Sequence, residues 1–194
     1  MSVDENWAIG HKNRLLYHVQ PDMDHFREMT SGAAVIMGRK TWESLPGGTP
    51  LANRVNIVMT GNPGRISVGS GRDGIGSGRI SFGSGEDGFT RTPDTDVIVC
   101  ESLTSLAETL KALPFGRDKL WVIGGADIYH LLMPYCDEAY VTKFMTNAAE
   151  ADCWMINLDI APGWALVESG ETLEWEGLRF RFDRYENRDA APLY

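Results

Sequence analysis

The sequence predicts an α/β domain with a mostly parallel core sheet, helices on both faces and an antiparallel hairpin at the C-terminal end. Three observations predict it. Short apolar, β-branched runs alternate with helical patterns through the middle of the chain, the order that builds a parallel sheet through crossover connections. Two of those runs pass through glycine straight into a helical pattern, at Val35-Ile36-Met37-Gly38-Arg39-Lys40-Thr41-Trp42 and at Trp121-Val122-Ile123-Gly124-Gly125-Ala126-Asp127-Ile128-Tyr129. The last apolar run alternates Leu178, Phe180 and Phe182 with Arg179, Arg181 and Asp183, as a half-solvated antiparallel strand does.

Taken in order, residues 21–30 read as a short helix. Pro21 suits its first turn, Asp22 favours the N-terminal dipole, and Met23, Phe26 and Met29 recur at a spacing of three. Residues 33–37 read as a buried strand, 39–45 as a short helix, and 55–59 and 97–100 as further strands. Residues 102–113 carry the clearest helical pattern, with Leu103, Leu106, Leu110 and Leu113 on one face and Ser105 with Glu108 as a candidate capping box. Then come a strand at 120–123, a sharp turn at Gly124-Gly125, a helix at 126–132 closed by Pro134, a strand at 138–144 and the final strand at 178–185. The 194 residues suit a single domain spanning 1–194. One segment departs from the pattern: RISVGSGRDGIGSG (65–78) is followed at once by RISFGSGEDGFTRT (79–92). This Gly/Ser-rich duplication predicts a flexible surface insertion between two strands.

Composition narrows the function. A formal net charge of -9 argues against non-specific nucleic-acid binding, so any anionic ligand must be held by local cations working against the global field. The three cysteines, Cys100, Cys136 and Cys153, form no CxxC pair; neither a disulfide framework nor a zinc site is expected, and a reducing, cytoplasmic compartment fits. The acidic start is no signal peptide, and no run approaches the roughly 20 apolar residues of a membrane span. His11, His18, His25 and His130 form no metal-binding spacing, and no GxSxG occurs, so neither metal nor nucleophilic catalysis is expected.

Four features can carry chemistry. Gly69 to Gly74 and Gly83 to Gly88 both fit G-x-G-x-x-G, but neither is followed by a helical pattern, so the dinucleotide reading lacks its context. The two strand–glycine–helix turns do have it. Each offers backbone N–H groups at the carboxyl edge of a parallel sheet, where nucleotides bind; either turn alone reads first as a tight structural turn, and two in one sheet reverse that balance. Arg39 and Lys40 add positive charge there and Thr41 a hydroxyl, while Gly124 and Gly125 allow close backbone approach. Asp22 is either a dipole-stabilising charge or a carboxylate in an apolar pocket of Phe26, Leu15 and Leu16 that bonds amidine-like N–H groups. Arg54, just before a strand, is either an exposed arginine or a bidentate clamp for a carboxylate.

Taken together these segments resemble dihydrofolate reductase. The stretches that carry the resemblance are DENWAIGHKNRLLYHVQPDM (4–23), VIMGRKTWESLP (35–46), RVNIVMT (54–60), WVIGGADIY (121–129), AYVTKF (139–144), AD (151–152) and the final strand. They stand in the family's order and cover nearly the whole chain outside the insertion. The resemblance implies NADPH as cofactor and dihydrofolate as substrate, in a monomeric enzyme of one-carbon metabolism that passes hydride from the nicotinamide to pterin C6 while a proton reaches N5. In that reading Asp22, Tyr17 and Leu15 form the catalytic set, with Asp22 promoting N5 protonation. Ser2, Asp22, Phe26, Leu51, Arg54, Ile123 and Thr142 face the substrate, Arg54 clamping the glutamate α-carboxylate and Thr142 supporting Asp22. Residues 9–16 form a mobile loop over the nicotinamide. The cofactor set is Ala8, Ile9, Gly10, Asn13 and Leu15; Gly38, Arg39, Lys40, Thr41 and Thr60; and Ile123, Gly124, Gly125, Ala126, Asp127, Ile128 and Tyr129. The resemblance also implies a cis Gly124-Gly125 bond.

The chain departs from the family pattern at Leu16-Tyr17, in place of Pro-Trp, and at Asp127, in place of an arginine. Only Met1, Ser2 and Val3 stand where the family has an apolar central strand of roughly five residues. An upstream start or a weakened reductase is therefore expected. Two other functions share most of these features: a catalytically silent NADP-binding relative, and a reductase of the same fold acting on a riboflavin-pathway pyrimidine.

Overall fold

The periodicities become elements close to where the sequence puts them. The computed structural model describes residues 1–66 and 97–194, together with the backbone of Ile80–Phe82. In chain order the elements are β1 (Ser2–Val3), β2 (Ala8–His11), β3 (Arg14–Leu15), α1 (Gln20–Thr30), β4 (Ala34–Gly38), α2 (Arg39–Ser44), β5 (Val55–Met59) and β6 (Ile80–Phe82). There follow β7 (Val97–Cys100), α3 (Leu103–Ala112), β8 (Leu120–Gly124), α4 (Ala126–Leu132), β9 (Glu138–Phe144), β10 (Cys153–Trp154), β11 (Trp164–Ser169), β12 (Leu173–Trp175) and β13 (Leu178–Asn187). The chain divides into two compact units, residues 1–26 with 129–193, and residues 27–128 with 194.

The second unit contains the parallel sheet, in the order β6-β7-β5-β4-β8, every described pair parallel. Its strands read as continuous apolar runs because both faces are covered: Ala34 to Met37 and Val97 to Cys100 are all buried. Val35, Met37, Val58, Val97 and Val99 pack with Trp42 from α2. Helix α3 starts where the sequence suggests but is capped differently. Ser102, not Ser105, is the N-cap: its hydroxyl accepts from the Ser105 amide at 3.1 Å while Ser105 Oγ accepts from the Ser102 amide at 3.0 Å. Beginning the helix at Leu103 places Ser105 at the third helical position, where it closes the box itself. The Gly124-Gly125 peptide bond is cis.

Most of the duplicated segment at 65–92 lies outside the described residues, and so do both glycine-rich matches within it. It is nevertheless not loop throughout. The backbone of Ile80–Phe82, from the second copy, pairs parallel with β7, because β-prone residues beside an open sheet edge complete its ladder.

The first unit carries a sheet in the order β1-β9-β13-β11, with β12 closing a hairpin on β13. The turn of that hairpin is Glu176-Gly177, both at positive φ, the geometry a two-residue loop needs. The expected half-solvated alternation of β13 holds at Leu178 to Phe180, with Arg179 exposed, and fails further along. Asp183, expected outward, is only 2% exposed and binds Arg181 Nε at 2.9 Å and Ser169 Oγ at 2.8 Å. The reason is that side chains pack against both faces of β13 beyond Phe180. Phe180 and Phe182 pack with Val19 and Phe144, whereas Tyr185 packs with Val3, Trp7 and Val141.

The expected mobile loop at 9–16 is a hairpin. Lys12 and Asn13 both take positive φ and turn β2 back into β3, and β2 pairs on its other side with β10. The short strands β10 and β11 have no counterpart in the sequence reading, and β12, which with β13 forms the expected C-terminal hairpin, was not located in it. β10 and β12 are too short to show a period, and residues 166–177 are exposed throughout, so no alternation marks them.

Candidate active site

In the first unit the site is built around one carboxylate. Val19 is buried against Phe144 and Phe180, which anchors the entry to α1, and Asp22 falls in its first turn. β9 supplies Thr142. Both side chains are buried, at 6% and 4% exposure, and Thr142 Oγ1 donates to Asp22 Oδ1 at 2.6 Å. No hydrogen bond from the described residues reaches the second carboxylate oxygen. Thr142 is fixed from both sides, beside Ser2 in the parallel pairing and beside Phe182 in the antiparallel one. A buried carboxylate with one specified donor is an acceptor for a ligand that brings its own N–H groups.

The remaining predicted residues of this unit lie on the same elements. Ala8, Ile9 and Gly10 are in β2, and Asn13 is in the turn. A Cβ on Gly10 would meet the Arg14 carbonyl oxygen at 3.0 Å, so a side chain there would need the hairpin backbone to give by a few tenths of an ångström. The hairpin is tied down by Asp152, whose carboxylate accepts from the Lys12 amide at 2.9 Å and whose amide donates to the Gly10 carbonyl. Leu15, expected to wall the Asp22 pocket, is 52% exposed instead, because it occupies the outer strand of a three-stranded sheet. Tyr17 packs its ring on Phe144 at 4.7 Å between centroids. Burial, with the negative charge of Asp4 and Glu5, pushes its phenol above the ordinary value, partly offset by Thr146. Tyr129 packs beside the cluster of Val3, Trp7 and Val141, and burial, then the Asp22 charge, pushes its phenol up as well. Phe26 is half-buried one turn along α1 from Asp22.

In the second unit the predicted residues gather at the carboxyl ends of neighbouring parallel strands. Gly38 ends β4, Thr60 follows β5 and Gly124 ends β8. Packing requires one glycine there: a Cβ on Gly38 would stand 2.9 Å from Ile128 Cγ1, whereas one on Gly125 would make an ordinary contact, 3.4 Å from Thr41 Oγ1. Arg39 Nη1 donates to Glu43 Oε1 at 2.6 Å, and Thr60 Oγ1 accepts from the Asn62 amide. Ala126 and Asp127 open α4, and Ile123 is half-buried beside the core. At the other end of the strands Arg54 is 9% exposed. Its Nε donates to the Ala52 carbonyl at 3.0 Å and its Nη1 to Thr30 Oγ1 at 2.8 Å. Burial, then the nearby Arg27 charge, pulls its guanidinium below the ordinary value. Arg54 is thus a positioned, partly desolvated cation and not a solvated surface arginine.

With this geometry described, comparison with known proteins decides the family. The family model for dihydrofolate reductase matches residues 1–72 and 89–187, skipping the middle of the duplicated segment. The chain is 32% identical over 192 residues to the dihydrofolate reductase of Bacillus subtilis, covering 98% of this chain and 94% of that protein. The chain belongs to the dihydrofolate reductase family. It is also 31% identical over 179 residues to the dihydrofolate reductase of Mycobacterium leprae, covering 92% and 90% of the two chains. Among solved structures it is similar to the dihydrofolate reductase of Enterococcus faecalis complexed with NADP(H) and RAB-propyl, with a TM-score of 0.67 and 24% identity. That match covers 97% of this chain and 94% of that one, and carries the fold. No helix among the described residues is long and apolar enough to cross a membrane.

Two residues of this dihydrofolate reductase-family chain were missed by sequence reasoning. Asn56, fully buried, braces the 51–54 loop by donating to the Leu51 and Arg54 carbonyls and accepting from the Leu51 amide. Thr30 holds the Arg54 guanidinium. An asparagine inside an apolar strand pattern was the available signal for the first; nothing local marks the second.

Proposed function

We propose that this chain reduces 7,8-dihydrofolate to tetrahydrofolate with NADPH, as a cytoplasmic monomer folding as one domain. The observation that carries the reading is the buried Asp22 carboxylate, one oxygen engaged by Thr142 and the other left to a ligand. The 2-amino and N3 edge of a pterin presents the paired N–H donors that such a carboxylate accepts. Held there, a negative charge favours proton arrival at the pterin ring, since burial weakens its screening by water.

Two strand–helix turns without side chains at Gly38 and Gly125, flanked by Arg39, Lys40 and the hydroxyls of Thr41 and Thr60, fit a ligand rich in phosphate. When bound, NADPH supplies the two reducing electrons. In this reading Arg39, Lys40 and Thr41 hold its phosphates, with Gly124, Gly125 and Ala126 giving backbone contacts and Thr60, Ile123, Asp127, Ile128 and Tyr129 lining it. Ala8, Ile9, Gly10, Asn13 and Leu15 keep water from the reacting ring, and Tyr17 supports that segment through Phe144. Phe26, Leu51 and Ser2 pack against the substrate, and Arg54 takes its carboxylate tail.

The test is the loss of NADPH absorbance on addition of dihydrofolate. Turnover that depends on both ligands is expected; binding of NADPH without turnover would replace this reading with that of a silent relative. Calorimetry should show one unfolding transition, and two separate transitions would overturn the single-domain reading.

A further inference from the structure

The carboxyl edge of the parallel sheet carries both signs of charge. Arg39 and Lys40 open α2, but Glu43 stands one turn further along the same helix, and Asp127 opens α4. β4 and β8 are paired neighbours, with Met37 beside Gly124, so both turns share one edge. These four side chains sum to no net charge at a place argued above to hold phosphates. Within the group, Arg39 Nη1 donates to Glu43 Oε1 at 2.6 Å, with side chains 28% and 43% exposed.

We infer that Glu43 sets how strongly this edge discriminates a 2′-phosphorylated nucleotide from its unphosphorylated counterpart, by holding Arg39 in a carboxylate pair that the phosphate must displace. The inference rests on the NADPH reading of this edge and adds a residue that opposes binding. A guanidinium fork offers carboxylate and phosphate the same donors, so what Glu43 engages is not at the same time offered to the ligand. An exposed pair four residues apart on a helix is weak, so a phosphate dianion displaces it, but with a smaller net gain than an uncommitted Arg39 would give. A nucleotide lacking the 2′-phosphate leaves the pair intact. Glu43 therefore acts on one of two otherwise identical ligands, which makes it a specificity-determining residue and not a general determinant of affinity.

The test is Glu43→Gln, a neutral isostere at an exposed position, with binding measured by calorimetry and no turnover involved. The probes are adenosine 2′,5′-bisphosphate and adenosine 5′-monophosphate. The bisphosphate should bind about two- to fivefold tighter to the variant, the range set by the strength of an exposed pair, and the monophosphate should bind equally to both proteins. In an Arg39→Gln background at least half of that gain should vanish, because no guanidinium remains to release. Unchanged or weaker bisphosphate binding in Glu43→Gln overturns the inference, the weaker case showing that Glu43 presents Arg39 to the ligand. A full gain without Arg39 also overturns it, since Glu43 would then act by repulsion alone. A wild-type protein that binds the bisphosphate no better than the monophosphate overturns instead the phosphate reading of this edge, and the inference falls with it.

Discussion

The antiparallel-sheet unit and the parallel-sheet unit present their candidate residues in opposite ways. In the first, Asp22 and Thr142 are closed off by packing and joined by one specified hydrogen bond. In the second, Arg39 and Glu43 pair in partial exposure on α2, directly after the glycine that ends β4. A buried polar pair is held to one geometry because leaving either member unpaired costs about 1–3 kcal/mol. An exposed pair is worth about 0–1 kcal/mol and rearranges easily. The contrast suits a division of labour: chemistry needs a fixed group, whereas phosphate recognition needs cations that can be traded between partners. It also orders the expected size of mutational effects.

The largest should come from Asp22→Asn. The substitution keeps an acceptor for Thr142 and nearly the same volume, so the fold should be retained, as circular dichroism would show. Turnover near neutral pH should fall by about 10²-fold or more, the scale of a lost acid–base contribution. The deficit should narrow in acid, where solvent protons replace what the carboxylate helps deliver. Unchanged turnover removes Asp22 from the mechanism. Next in size is the double change Arg39→Ala with Lys40→Ala. NADPH binding should weaken about 10- to 100-fold, since hydrogen bonds to charged groups are worth roughly 1.5–3 kcal/mol each, while NADH binding should move only slightly. Equal weakening of both cofactors would show that the pair does not read the 2′-phosphate.

What could be read in advance follows the same contrast. The parallel strands were legible because a strand buried on both faces is apolar throughout, as at 97–100 and 33–37. The glycine turns were legible because a glycine between strand and helix is a local signal. Asp183 was misplaced because alternation assumes one face wet along the whole strand, whereas β13 is exposed on that face at Arg179 and buried on it at Asp183 and Tyr185. The Ser102–Ser105 cap was misplaced by one helical turn, since either serine satisfies the pattern and only the true start at Leu103 decides between them. Asp22 was legible as a candidate, but its partner Thr142 lies 120 residues away and was supplied by family resemblance. Thr30 behind Arg54 had no signal of either kind, because a threonine ending a helix ordinarily faces water.

Thr30 therefore offers a test of intermediate size. Thr30→Val removes the acceptor of Arg54 Nη1 while keeping the branched shape. If Arg54 clamps the substrate's carboxylate, loosening it should raise KM for dihydrofolate about three- to tenfold, consistent with one charge-assisted hydrogen bond partly recovered by water, and leave kcat within about twofold. A substrate analogue lacking the glutamate tail should show no difference between the two proteins. Equal effects on both substrates would mean that Thr30 only supports the fold.

The smallest expected effect sharpens the comparison through pH. Five of the six tyrosines lie in the antiparallel-sheet unit, and residues 27–128 contain none. Burial pushes the phenols of Tyr129 and Tyr185 far above the ordinary value of 10.0; the charge of Asp22 adds to the first, and the hydrogen bond to Asp159, at 2.6 Å, to the second. The sign follows from proton counts. Below about pH 10 both folded and unfolded chains keep these protons, and the contribution to stability is whole. Above it the unfolded chain loses them while the folded chain does not, so stability falls as pH rises, by up to about 1.4 kcal/mol per pH unit for each tyrosine. Denaturant titrations between pH 9 and pH 11 should show this loss, and Tyr129→Phe and Tyr185→Phe should each flatten it. Tyr185→Phe should also be less stable at neutral pH, because Asp159 loses a donor, whereas Tyr129→Phe should be nearly neutral there. An alkaline slope left intact by both substitutions would place the sensitivity outside the buried tyrosines, and with it outside the packing that distinguishes this unit.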